Sequence, residues 1–241
     1  MEILKFISSR NEGVTLKEII SELDIPKSSA FDIVQTLIYT DMINVIEGVQ
    51  NRYVIGLETF RIGLSYEKDM LKIAQKYLKQ LSEKLNKTVF LGILKDGEVI
   101  YLDKREPSSP IVTTATLGSR NPVHCTALGK VMLFGLSEEK IKKILKEKGM
   151  AAKTERTITD PDKFLDHLRL WRKKGYALDD REIEDNQLCM SAPIYDASGK
   201  IVAAISASGF YNPNENLEKS SEILKEITQK ISKELGYSTI L

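Results

Sequence analysis

An α+β chain in two unlike parts is predicted by three observations. Residues 1–64 carry three short helical periods followed by two β-prone runs. Residues 65–86 carry one long amphipathic helical period, and residues 87–241 carry strands in hairpin pairs with helices inserted between and after them. At 241 residues, each part is large enough to bury its own core. Hydrophobic residues at 42% and charged ones at 29% place the chain among globular proteins, and exclude a disordered tail, a collagen-like fibre and a disulfide scaffold.

In the first part, Ile3, Leu4, Phe6 and Ile7 make one helical face that ends at Asn11-Glu12-Gly13. Thr15-Leu16-Lys17-Glu18 has the spacing of a capping box, in which the threonine oxygen takes an orphan amide and the glutamate reaches back. The helix it opens buries Leu16, Ile19, Ile20 and Leu23. Asp24-Ile25-Pro26 then forces a turn, because proline cannot continue the preceding helix but suits the first turn of the next. That third helix directs Ala30, Ile33, Val34, Leu37 and Ile38 to one side. Ile43–Ile46 and Arg52–Ile55 are β-prone runs that flank a turn at 48–51 and read as a hairpin.

Two helices joined by a tight turn, the second amphipathic and followed by a hairpin, make a winged helix-turn-helix. The outward face of the third helix then presents Lys27, Ser28, Phe31 and Gln35. These side chains suit a major groove: lysine for phosphate or guanine, serine for phosphate, phenylalanine for a thymine methyl and glutamine for adenine. The same face serves protein contact if Phe31 packs against a neighbour. Charge favours the second use, since residues 1–64 hold six basic and nine acidic side chains, a net of −3 in a chain of +1.

In the second part, the 65–86 helix aligns Met70, Ile73, Ala74, Tyr77, Leu78, Leu81 and Leu85. It is expected to connect the domains and to offer Met70, Ile73, Tyr77, Leu81 and Leu85 to a partner helix. Residues 88–95 and 98–103 flank Asp96-Gly97, the strongest short hairpin signal. A further strand is expected at 111–115, helices at 126–134, 138–148 and 162–174, strands at 188–195 and 200–208, and a last helix at 217–235.

The motifs resemble those of the IclR family of bacterial and archaeal transcription regulators. The likeness lies in Thr116 to Leu133 (TLGSRNPVHCTALGKVML), Gly175 to Asp180 (GYALDD), Cys189 to Gly199 (CMSAPIYDASG) and Ala203 to Gly209 (AAISASG). Leu23 to Ser29 and Asn51 to Gly56 resemble the family's winged-helix segment. The resemblance implies a winged helix over 1–64, a dimerising linker helix over 65–86, and a GAF-like domain over 87–241 that binds a small metabolite. It also implies dimers that pair into tetramers on a double-stranded operator. Carried over by matching positions, the pocket is lined by Ala127, Leu128, Asp179, Cys189, Ser206 and Ser208. Hydroxyls, a thiol, a carboxylate and helix-start amides suit a small polar ligand; Ser206 and Ser208 alternate with Ala207 and equally suit a core of small residues. Ser29, Asp32, Asn51 and Arg52 complete the expected DNA-facing set.

Two positions depart from the family pattern. Asp32 stands where a basic residue is usual; it can accept from cytosine N4, or close a capping box Ser29-Ala30-Phe31-Asp32. Asn186 replaces a common glycine, and asparagine tolerates the left-handed conformation that such a turn needs.

Other classes fare worse. Cys189 with His124 can be drawn as nucleophile and base, and Asp179-Asp180 as an acid pair. No third orienting group, nucleophile elbow or phosphate loop accompanies them, and adjacent acids on an extended segment face opposite ways. No catalysis is expected. The cysteines and histidines are Cys125, Cys189, His124 and His167, so a four-ligand zinc site needs all four to converge; no metal or cofactor is expected. No tract approaches the ~20 apolar residues of a membrane span, and the N-terminus lacks the apolar stretch of a signal peptide. The expected setting is the cytoplasm, with both cysteines reduced. A pure protein-interaction module is the remaining alternative.

Overall fold

The structure is a computed structural model that describes residues 2–46, 51–63, 68–108 and 115–238. The chain divides into two units, 1–68 and 69–241.

In the first unit, α1 (Glu2–Ser8), α2 (Leu16–Leu23) and α3 (Lys27–Tyr39) precede β1 (Ile43–Ile46), β2 (Arg52–Ile55) and α4 (Leu57–Gly63). The capping box forms: Thr15 Oγ1 accepts from the Glu18 amide at 3.3 Å, and the Glu18 carboxylate accepts from the Thr15 amide at 2.6 Å. Ile3, Leu4, Ile7, Val14, Ile19, Val34, Ile43 and Tyr53 make the core. Val14 and Tyr53 exchange backbone hydrogen bonds of 3.0 and 2.7 Å, which tie the wing to the turn before α2. Ile33 departs from expectation and is 44% exposed. It lies about 100° around the helix from Val34, at the edge of the stripe that Ala30 and Val34 centre. The hairpin turn at 48–50 lies outside the described residues. α4 was not read from the sequence; its start is held from outside, by Gly56 N–H on the Met42 carbonyl at 2.9 Å and by the Thr59 hydroxyl on the same carbonyl at 2.8 Å.

The second unit takes up α5 (Lys68–Leu85) from its second residue, followed by β3 (Thr88–Lys95), β4 (Glu98–Arg105), β5 (Arg120–Pro122), α6 (Ala127–Met132), α7 (Glu138–Lys148), α8 (Pro161–Lys174), β6 (Ala177–Asp180), β7 (Gln187–Tyr195), β8 (Ile201–Phe210) and α9 (Leu217–Glu234). The β3–β4 turn uses Asp96 and Gly97, both at positive φ, as the Asp-Gly pair requires. All pairings are antiparallel and the strand order is β5-β4-β3-β8-β7-β6. The short edge strand β5 was not anticipated; of the strand expected at 111–115, residues 111–114 lie outside the described residues.

Helices cover both faces of the sheet. Side chains alternate along each strand, so Val89, Leu91, Ile93, Met190, Ala192, Ile194, Ala203, Ile205 and Ala207 pack with α5 and α9, whereas Phe90, Val99, Tyr101 and Ala204 pack with α6, α7 and α8. The architecture is mixed α+β, as the sequence predicts. One expectation is corrected. Met70, Ala74, Leu78 and Leu81 of α5 are buried in their own unit, and Ile73, Tyr77 and Leu85 pack partly against the same core. A helix with one apolar stripe has one face to bury, and the sheet takes it; Lys76 and Tyr77 then fix α5 to Glu234 of α9.

A fragment of residues 69–241 is accordingly expected to melt cooperatively, and one of residues 88–241 to melt well below it, because removing α5 uncovers the sheet. Thermal unfolding of the two fragments, followed by circular dichroism, checks this; equal melting temperatures would contradict the placement of α5.

Candidate functional site

Sheet register brings distant residues together. Asp179 of β6 lies opposite Cys189 of β7, which lies opposite Ser208 of β8, which lies opposite Thr88 of β3. In the neighbouring row Ser191 faces Ser206, and Ser206 faces Phe90. These rows lie on the face away from α5 and α9. Thr126 caps α6 by accepting from the Gly129 amide at 3.1 Å and donates to the Pro122 carbonyl at 2.6 Å. Gly129 lets the helix sit against the preceding segment, since a Cβ there would stand 2.4 Å from Val123 Cα. Between α6 and the sheet lies a cavity of about 150 Å³. All six residues expected at the pocket, Ala127, Leu128, Asp179, Cys189, Ser206 and Ser208, line it. The sequence reading missed Phe90, Tyr101, Asn121 and Gln187, which line it too. Phe90 and Tyr101, with ring centroids 4.9 Å apart, read in sequence only as alternating core residues.

Asp179 is 3% exposed, and its Oδ1 accepts from the amides of Glu182 at 2.7 Å and Ile183 at 3.3 Å. Burial pushes its pKa up to about 6, against the pull of Lys130 and those amides. Cys189 Sγ lies 3.0 Å from Ser208 Oγ, and burial raises its pKa, so it remains a thiol. Burial likewise raises Cys125 to about 12. His124 directs Nε2 at the Ala151 carbonyl, 3.1 Å away, and burial lowers its pKa. Thiol and imidazole therefore do not form a nucleophile–base pair. Asp180 points the other way from Asp179 and pairs with Arg181 at 2.8 Å. Among the described residues no group of three or more His, Cys, Asp or Glu is placed to hold a metal ion.

The loop after β6 is held by a buried cation. Lys130 of α6 is fully buried; its Nζ donates to the Leu178 carbonyl at 2.7 Å, pairs with the Glu182 carboxylate and stands 4.4 Å over the Trp171 ring. Thr157 and Thr154 hydroxyls donate to the Glu182 and Arg181 carbonyls, each at 2.7 Å. The left-handed residue of this loop is Arg181, with φ 61°, and not Asn186, whose replacement of glycine therefore needs no such conformation.

On the first unit, Lys27, Ser28, Ser29, Phe31, Asp32 and Gln35 are all exposed on α3, with Phe31 at 49%. Pro26 holds the N-cap position without a side-chain hydrogen bond, which puts Ser29 inside the helix. The Ser29–Asp32 capping box therefore does not form, and Asp32 stands exposed in mid-helix. Asn51 is exposed, whereas Arg52 turns back: its Nε donates to the Glu12 carbonyl at 3.0 Å, its Nη2 to the Gly13 carbonyl at 3.1 Å, and Glu18 lies 3.8 Å away.

A winged helix with a bare outer helix face, joined in one chain to a domain with a cavity on its sheet face, is the architecture of a helix-turn-helix transcription regulator. Residues 65–233 match the family described as bacterial transcriptional regulator IclR C-terminal, and residues 1–44 match the IclR helix-turn-helix domain; the chain belongs to the IclR family. The HTH-type transcriptional repressor AllR of Escherichia coli strain K12 is 29% identical over 241 residues, covering 97% of this chain and 88% of that one. The crystal structure of Thermotoga maritima IclR superposes with a TM-score of 0.80 at 31% identity, over 98% of this chain and 96% of that one. An IclR homologue from Microbacterium hydrocarbonoxydans, solved with 4-hydroxybenzoate, shares the fold at a TM-score of 0.84 and 21% identity, over 98% and 97% of the two chains. Of these relatives, AllR is a transcriptional repressor. Among the described residues, no helix is long and apolar enough to cross a membrane.

Replacing Lys130 by methionine leaves the Glu182 carboxylate buried without its cation, and is expected to destabilise the second unit by about 3–5 kcal/mol. Adding Glu182→Gln should restore part of that loss. Denaturant titration of the two variants checks it; a single variant as stable as the wild type would contradict the clamp.

Proposed function

We propose that this regulator binds a pseudo-palindromic operator as a dimer, with α3 in the major groove, and that a small polar metabolite in the α6–sheet cavity shifts that binding. One observation supports the DNA reading above protein contact: residues 1–44 match the family's helix-turn-helix domain, and the outer face of α3 that such a domain uses is open to solvent along Lys27, Ser28, Phe31 and Gln35. In this reading Lys27 and Ser28 hold phosphates, Phe31 meets a thymine methyl, Gln35 reads adenine and Asp32 accepts from a cytosine amino group. Asn51 supplies the wing contact. Arg52 braces the wing and adds little to phosphate binding. Dimers pairing into tetramers, a cytoplasmic site of action and the absence of a catalytic step belong to the same reading, and among the described residues lining the cavity none is a base that activates the Cys189 thiol.

Coupling follows from the two-faced sheet. The strands that carry Cys189, Ser206 and Ser208 toward the cavity carry Met190, Ile205 and Ala207 toward α5 on the other side. A ligand that favours one arrangement of these strands biases the seating of α5, the helix that follows the DNA-binding unit in the chain. The shift is limited by its differential affinity for the two arrangements and is reciprocal.

Gel-shift titration is expected to show a shallow salt dependence, about 0.9 in log–log slope for each phosphate contacted, because the first unit is acidic and Arg52 is engaged. Gln35→Ala should relax preference at one base, by about 1–3 kcal/mol, and Asp32→Ala should change base preference without lowering the melting temperature. Equal loss on all duplexes would refute the readout.

A thermal-shift screen of small metabolites is expected to find a ligand that adds about 2.7 kcal/mol at a hundred times its Kd. Ser206→Trp should abolish that stabilisation and leave operator binding of the unliganded protein intact. A filled cavity that still responds would place the effector elsewhere.

A further inference from the structure

Resting on the reading of the cavity as the effector site, we propose that Asp179 selects the ligand by charge, so that a carboxylate ligand enters only together with one proton while a neutral ligand bearing N–H or O–H donors enters without one. Asp179 spends one carboxylate oxygen on the Glu182 and Ile183 amides, and the residue forms part of the cavity wall. No lysine, arginine or histidine is among the described residues lining that cavity. Residues 109–114, outside the described residues, contain none in sequence either.

The lysines nearby are engaged elsewhere. Lys130 is held by Glu182 and the Leu178 carbonyl, Lys104 by Glu106 at 2.6 Å, and Lys87 by Glu215 at 2.8 Å. The other titratable groups around Asp179 are Tyr101 from β4, Cys125 from the segment before α6, Cys189 from β7, and Glu182 and Glu184 from the loop. Tyr101, Cys125 and Cys189 are held in their neutral forms by burial. None of these groups supplies a full positive charge to a ligand, and the start of α6 at Ala127 and Leu128 offers amide dipoles only. Two carboxylates at hydrogen-bond distance beside a buried wall residue such as Asp179 do not both remain ionised, so one proton is shared between them whichever oxygen carries it.

Donors and acceptors on the wall complete the selection. The Ser206 hydroxyl and the Tyr101 phenol bond to no protein group among the described residues and can serve a ligand carbonyl or hydroxyl oxygen. The ionised Asp179 oxygen accepts from an amide or hydroxyl of the same ligand. At about 150 Å³ the cavity is below the 300–1,000 Å³ range of drug-sized sites, so the ligand is small. The buried carboxyl titrates near pH 6, which puts the changeover inside the physiological range.

Glycolate and glycolamide, isosteric and differing in charge, test this on the full-length chain by isothermal titration calorimetry between pH 5.5 and 8. Glycolate affinity should fall with pH, approaching tenfold for each unit above 6, and its binding at pH 8 should take up one proton when measured in buffers of different ionisation enthalpy. Glycolamide affinity should not fall over this range, and its binding at pH 8 should take up no proton. Asp179→Asn keeps an acceptor for the two loop amides; it should abolish both the slope and the proton uptake for glycolate and weaken glycolamide. Binding of glycolate without a pH slope in the wild type, or an unchanged slope in the variant, overturns the proposal and leaves the sensing role standing. Failure of both probes to bind overturns it as well, and the Ser206→Trp metabolite screen then judges the sensing role separately.

Discussion

The cavity depends on a charge with no access to water. Lys130 has lost its hydration entirely, and a bare ammonium in such a place would cost several kcal/mol unless compensated. Its compensation comes from three directions: the Glu182 carboxylate, the Leu178 carbonyl and the face of Trp171. Those partners belong to the loop after β6, to β6 itself and to α8, while Lys130 belongs to α6. One side chain thus sets the distance between the helix and the strand that together enclose the cavity, and it holds in place the loop from which Ile183 and Glu184 reach the wall. Shifting any of these elements would leave a buried charge unmatched. That asymmetry, in which the pair adds little to stability while intact and much is lost on breaking it, suits a part whose role is geometric.

Much of this was legible in local chemistry. The Thr15–Glu18 box, the Asp96-Gly97 hairpin, and the strand alternation through Cys189 to Tyr195 and Ile201 to Ser208 each follow from interactions within a few residues, and each formed. The six pocket residues were named by the resemblance of motifs, and it is the sheet register that brings Asp179, Cys189 and Ser208 into one row, which spacing alone does not say. Phe90 and Tyr101 escaped notice because an aromatic on a strand reads as core whether it faces a neighbouring side chain or a cavity. Arg52 escaped for a related reason. In sequence it is a wing cation, and only the fold brings the Glu12 and Gly13 carbonyls within its reach.

The misreading of α5 has a different origin. Its stripe from Met70 to Leu85 is evident, but a stripe does not name what covers it. Periodicity predicts that an apolar face will be buried; whether by a partner or by the chain's own sheet is decided by supply, and here β3, β7 and β8 present an uncovered face that α9 alone does not fill. Asp32 illustrates the reverse case. Two roles were open from its spacing to Ser29, and the position of Pro26 at the helix start excludes the local one, leaving an exposed carboxylate in the middle of the face that the first unit turns to solvent.

The ends of the six-stranded sheet have a bearing on how copies of this chain associate. β5 is three residues long and finishes in Pro122, which has no N–H to offer, and β6 is four residues long and followed at once by Arg181 in a left-handed turn. Among the described residues, each of these edge strands is too short to offer another strand a long run of free donors and acceptors. Growth of the sheet through β5 or β6 is therefore disfavoured. An assembly built from helix surfaces and loops draws on side chains, which carry identity, and not on the backbone, which any extended chain could match.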